Sequence, residues 1–73
     1  MEFTKHSDIN FAGSTYVEEG LLAVYGANVY DGVPSIVQEI RNYAIADKYA
    51  DKLAEDLKTF TANVNQAIGR TGE

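Results

Sequence analysis

The chain has no cysteine and a single histidine, His6. Those absences remove a disulfide framework, thiol chemistry and a Cys/His zinc site as sources of stability or function. A lone His without a nearby carboxylate pair reads as a surface or packing residue. No apolar run approaches the roughly 18 residues of a membrane helix, and no charged-then-apolar leader opens the chain. A soluble protein of the cytoplasm, with no membrane partner, is therefore expected. Cations are also scarce: six Lys and Arg stand against eleven Asp and Glu, a net charge of −5. A polymeric nucleic acid is disfavoured as partner, because each phosphate it brings must be neutralised from that small stock. A small anion held by two or three convergent cations, or a basic protein, is compatible with the same balance. There is no Gly-rich phosphate loop, no HExxH and no nucleophile with a plausible base, and the acids are spaced like ordinary helix-surface residues. Neither an enzyme nor a cofactor or metal is expected.

What is present is clearest in the last third, Asp47 to Arg70. Ala46, Ala50, Leu53, Leu57, Phe60, Val64 and Ala67 follow at steps of four and three, the seam of a helix lying along another helix. Lys48, Asp51, Lys52, Glu55, Asp56, Lys58, Asn63 and Gln66 fall on the outward side. Gly69 is the expected helix stop, and Arg70 suits the negative end of the macrodipole. A helix of that length measures roughly 36 Å, while a compact chain of this size has a diameter of about 29 Å. The helix should overhang its own domain and find cover on a second copy, since so small a core is marginal alone.

Upstream, Phe3, Ile9 and Phe11 lack helical spacing, so residues 1–13 read as an extended arm or short strand. Thr15-x-x-Glu18 has the form of a capping box before Leu21, Leu22, Val24 and Tyr25, which predicts a short helix over 15–26. The competing reading makes Leu21 to Tyr25 a strand. Asn28 and Asp31-Gly32 are turn residues. Pro34 suits the first turn of a second helix over 33–45, whose seam is Ile36, Ile40 and Tyr43. A three-residue phase jump to Ala46 marks a corner, with Asp47 capping the helix that follows over 47–70. The expected fold is all-α: a single domain of arm, short helix and antiparallel helical hairpin, assembled as an oligomer. Five tyrosines suit a thin core with wet hydroxyls or, more specifically, stacking on bases.

Asn65-Gln66-Ala67-Ile68-Gly69-Arg70, together with Leu57 and Lys48, resembles the closing pattern of a helical hairpin shared by two phage anti-defence families, the anti-CBASS sponge and the Thoeris anti-defence sponge. In those hairpins the second helix follows a Gly-Arg-Glu corner and ends Ala-Asn-x-Ala-Ile-Ala-Arg. Here Asp47-Lys48-Tyr49 occupies the corner, and Val64 and Gly69 stand in place of Ala. The likeness covers about Pro34 to Thr71, carried by six or seven positions, and by length the chain looks more like the anti-CBASS type. The resemblance implies a non-enzymatic, all-helical homo-oligomer, a hexamer, that sequesters cyclic di- and trinucleotide messengers and so blocks host antiphage signalling, acting in the host cytoplasm if phage-encoded. Arg70 and Thr71 match the positions that gather around phosphates of a cyclic trinucleotide. Tyr16, with Lys5 or Lys48 as cation, is the candidate by position for a dinucleotide pocket. Two other classes fit the residues: an acidic inhibitor that covers the basic groove of a host nucleic-acid-binding enzyme, and a plain coiled-coil assembly module.

Overall fold

The computed structural model describes residues 1–69 and overturns the all-α expectation. Its first forty residues form an antiparallel sheet of four strands, β1 (Glu2–Ser7), β2 (Asn10–Val17), β3 (Gly20–Tyr30) and β4 (Val33–Ile40), in the spatial order β1-β2-β3-β4. Two 3₁₀ turns, Tyr43–Ile45 and Asp47–Tyr49, lead to one α-helix, α1 (Ala50–Ala67). The short helix over 15–26 is instead β2, a turn and most of β3, and the helix over 33–45 is β4 with the first 3₁₀ turn. There is thus no helical hairpin, and the arm over 1–13 is β1 and the start of β2.

Local chemistry accounts for the change. Strand side chains alternate between faces, and β2 places Phe11, Gly13 and Thr15 on one side, all buried. The register sets these opposite Ala27, Tyr25 and Ala23 of β3, and continues to Ile36, Gln38 and Ile40 of β4. Ile36 and Ile40 are four apart, a spacing that is one helical turn and also an even step along a strand, so they fit both periods. Asp31 and Gly32 decide between them. With φ of 53° and 75°, they form the two-residue left-handed turn that joins twisted antiparallel strands. Thr15 caps nothing: it lies inside β2, and Glu18-Glu19 is the turn to β3. A register shift between Thr15 and Tyr16 accompanies the full burial of both Leu22 and Ala23, as expected where a bulge re-aims a strand.

The helix covers one face of this sheet. Leu53, Phe60 and Val64 are buried, Leu57 is partly buried, and Ala50 and Ala67 are exposed. The stripe is therefore rotated from the expected seam, and Asp56 lies inside it. Phe60 is the central contact. Its ring stacks on Tyr25 with centroids 5.4 Å apart and meets Phe3 edge-on at 5.6 Å. It fits because residue 13 has no side chain: a Cβ there would lie 2.9 Å from Phe60 Cδ1 and 2.9 Å from the Glu2 carbonyl oxygen. Asp47 does not cap α1, whose N-cap is Tyr49 without a side-chain hydrogen bond. Gly69, at φ 82°, closes the helix in the left-handed conformation, as the sequence predicts. At 18 residues, α1 is roughly 27 Å long and lies within the 37 Å long axis of the molecule. The helix is thus shorter than the roughly 36 Å expected of a helix over 47–70.

Candidate functional site

Between sheet and helix runs a chain of polar side chains. Thr15 Oγ1 donates to Asp56 Oδ2 at 2.7 Å and is itself 2.7 Å from the Tyr25 hydroxyl. A hydroxyl has one proton, and a carboxylate can only accept. With the Thr15 proton committed to Asp56, Tyr25 must donate to Thr15. Gln38 Nε2 then donates to the Tyr25 oxygen at 3.1 Å and to the Leu53 carbonyl at 2.9 Å. From Gln38 through Tyr25 and Thr15 the donors thus run towards the carboxylate of Asp56, which is 7% exposed, with the Lys52 ammonium 3.7 Å away. Such a chain polarises in one direction and lets the helix bury a charge. Its consequence is geometric, because the bonds join β2, β3, β4 and α1 in a single register.

A second group sits at the sheet's end. Glu19, on the β2–β3 turn, accepts from the Tyr49 hydroxyl at 2.6 Å and from Lys48 Nζ at 2.9 Å. The Tyr49 and Lys48 hydrogen bonds lower the Glu19 pKa to about 2, while the same contact raises those of Tyr49 and Lys48. This clasp fastens the 3₁₀ segment ahead of α1 to the sheet. It also draws the turn bearing Glu18 against the segment bearing Asp47, from which Asp51 and Glu55 continue along α1, and all four are exposed.

The opposite face of the sheet has no covering element among the described residues. Ala12, Ser14, Val24, Gly26 and Val37 occupy its centre by register, with Tyr16 55% exposed and Tyr30 81% exposed.

The residues singled out from the sequence do not converge. Tyr16 is on the open face at the β2–β3 end, whereas Lys5 pairs across from Phe11, five residues or roughly 16 Å back along β2. Lys5 is bound to Asp8 at 3.2 Å, and Lys48 to Glu19. Arg70 and Thr71 lie outside the described residues. Thr15, Tyr25, Gln38 and Asp56 were missed. The signal for Asp56 was its place three residues after Leu53 and four before Phe60, which puts it on the buried stripe. Among the described residues no group of His, Asp and Glu could hold a metal ion, and no helix is long and apolar enough to cross a membrane.

No family model, curated protein or solved structure matches the chain.

Proposed function

We propose that the chain is a non-enzymatic binding protein whose acidic surface docks on a basic protein face, of the kind that lines the groove of a nucleic-acid-binding enzyme. The supporting observation is how its charges are spent. Lys5, Arg41, Lys48 and Lys52 are each held by a carboxylate of the same chain, while Glu18, Asp47, Asp51 and Glu55 face solvent around the Glu19 clasp. A surface of that kind attracts a cationic partner and repels polyanions. Asp56, the one buried carboxylate among the described residues, is committed to Thr15 and serves the fold.

Sequestration of cyclic di- or trinucleotides is a second proposal. Exposed Tyr16 favours it, as do Arg70 and Thr71 in the sequence. It stands second because the helical hairpin of the sponge families is replaced here by β4 and a single helix.

One pair of measurements separates them. In the first, the chain is titrated into complexes of labelled DNA with a panel of DNA-binding enzymes and anisotropy is followed. It should displace the DNA from at least one, and Asp51→Lys with Glu55→Lys should weaken that displacement at least tenfold. Failure against the whole panel, with a cyclic trinucleotide raising the melting temperature instead, would reverse the order of the two proposals.

A further inference from the structure

The two outer strands of the sheet are not alike. Arg41 N–H donates to the Leu22 carbonyl at 2.8 Å, which fixes the phase of the β3–β4 ladder. Hydrogen-bonded pairs alternate in an antiparallel ladder, so Glu39 with Val24, Val37 with Gly26 and Ser35 with Asn28 are the bonded pairs. The main-chain N–H and C=O groups of Ile36, Gln38 and Ile40 therefore point away from β3, at the free edge. Pro34 is in the same phase, where its missing N–H removes nothing from the sheet. On the other side, the free edge of β1 carries Lys5 and is broken by a register shift between Lys5 and Ser7. A charge and a bulge are the usual protection of an edge. β4 has no such break: its pairing with β3 runs from Val33 to Ile40 without a shift, its charged residue, Glu39, is held by Arg41 at 2.8 Å, and Val33 and Val37 are exposed beside it.

We infer that β4 is a docking edge for a second copy of this chain, pairing antiparallel with the partner's β4 about a two-fold axis through Gln38. In that register Ile36 faces Ile40 of the other copy, Gln38 faces its own counterpart, and Ile40 faces Ile36. All outward N–H and C=O groups from Ile36 to Ile40 are satisfied by six hydrogen bonds, none of which requires Pro34. Centring the axis on Val37 instead would set Ile40 against Pro34 and leave both Ile40 carbonyls without donors, because proline has no N–H. The chosen register also matches β-branched side chains across strands, which favours pairing. The two Glu39 carboxylates come near one another diagonally, but each is neutralised by its own Arg41 at 2.8 Å. The product is a continuous eight-stranded sheet with both helices on one face, and the acidic surface around Glu19 and α1 is presented twice.

Light scattering at several hundred micromolar should give a mass near twice 8.0 kDa, falling towards 8.0 kDa on dilution. Amide hydrogen exchange on the wild type should show Ile36, Gln38 and Ile40 protected at high concentration and losing that protection on dilution, with Val37 and Glu39 unaffected. Ile36 and Ile40 lie roughly 13 Å apart along one strand, so an NOE between their methyl groups arises only between copies and reports the register. Ile36→Pro should remain folded by circular dichroism and halve the mass. If that variant unfolds, exchange and NOE on the wild type still decide. A mass of 8.0 kDa at every concentration, a dimer in which the three amides stay unprotected, or protection that appears only when a foreign protein is added would each overturn the proposal.

Discussion

Replacing Thr15 by Val keeps the shape and β-propensity of the side chain and deletes one hydroxyl. That hydroxyl is fully buried, donates to Asp56 at 2.7 Å and accepts from Tyr25. Hydrogen bonds to charged groups contribute about 1.5–3 kcal/mol, and a buried group left without its partner keeps its full desolvation penalty. Lys52, 3.7 Å from Asp56, offsets part of the loss, so the expected cost is about 2–3 kcal/mol. A chain of this length has only about 4–11 kcal/mol of stability, and each kcal/mol moves the melting temperature by about 4–8 °C. Thr15→Val should therefore melt more than about 8 °C below the wild type and reach its urea midpoint earlier, with an unchanged slope. Asp56→Leu alone removes the charge and leaves the Thr15 hydroxyl without its acceptor. Thr15→Val with Asp56→Leu replaces both partners by apolar groups, and should be less destabilised than the sum of the singles by about 1–3 kcal/mol. If the double variant were additive within about 0.5 kcal/mol, or if Thr15→Val melted with the wild type, the bonds from Gln38 to Asp56 would not act as one network.

Phe60→Ala should cost about 3–5 kcal/mol in chemical denaturation, because it empties a site packed by Phe3, Tyr25 and Gly13. Gly13→Ala should cost about 1–3 kcal/mol by overpacking against Phe60 and the Glu2 carbonyl, and the two changes together should cost less than their sum. At the Glu19 clasp the carboxyl pKa is lowered from 4.5 to about 2. Its contribution is complete above the ordinary value and is lost as pH falls from 4.5 towards 2. Melting curves over that range should fall more steeply for the wild type than for Glu19→Gln, and equal slopes would remove the clasp from the account of acid stability.

The helix was legible in the sequence and the sheet largely was not. Leu53, Phe60 and Val64 repeat at helical steps over a stretch with no even-numbered alternative, and Gly69 ends it, so α1 could be placed to within a few residues. In the first forty residues the large inward side chains, such as Phe11, Tyr25, Ile36 and Ile40, are interspersed with Gly13, Thr15, Ala23, Ala27 and Gln38 on the same face. Alternation of small and polar residues carries little hydrophobic contrast, so the period of two is hidden. Ile36 and Ile40 then satisfied a helix by coincidence. Asp31-Gly32 between two β-branched runs was the overlooked sign, because a left-handed pair in that context closes a hairpin. Of the candidate site residues, Lys5 and Lys48 prove to be held in ion pairs. Charge pairing between residues as distant as Glu19 and Lys48 is set by the route of the chain through the fold, which single-sequence periodicity does not reveal.

The strands follow one another in space as they do in the chain, each joined to the next by two residues. Each hairpin is thus a local contact that closes in about 1–10 μs, whereas Phe60 must come back across the sheet from a distant part of the chain to reach Phe3, Gly13 and Tyr25. Docking of α1 is therefore expected to be the slower step of folding, because its contacts close the longest loops.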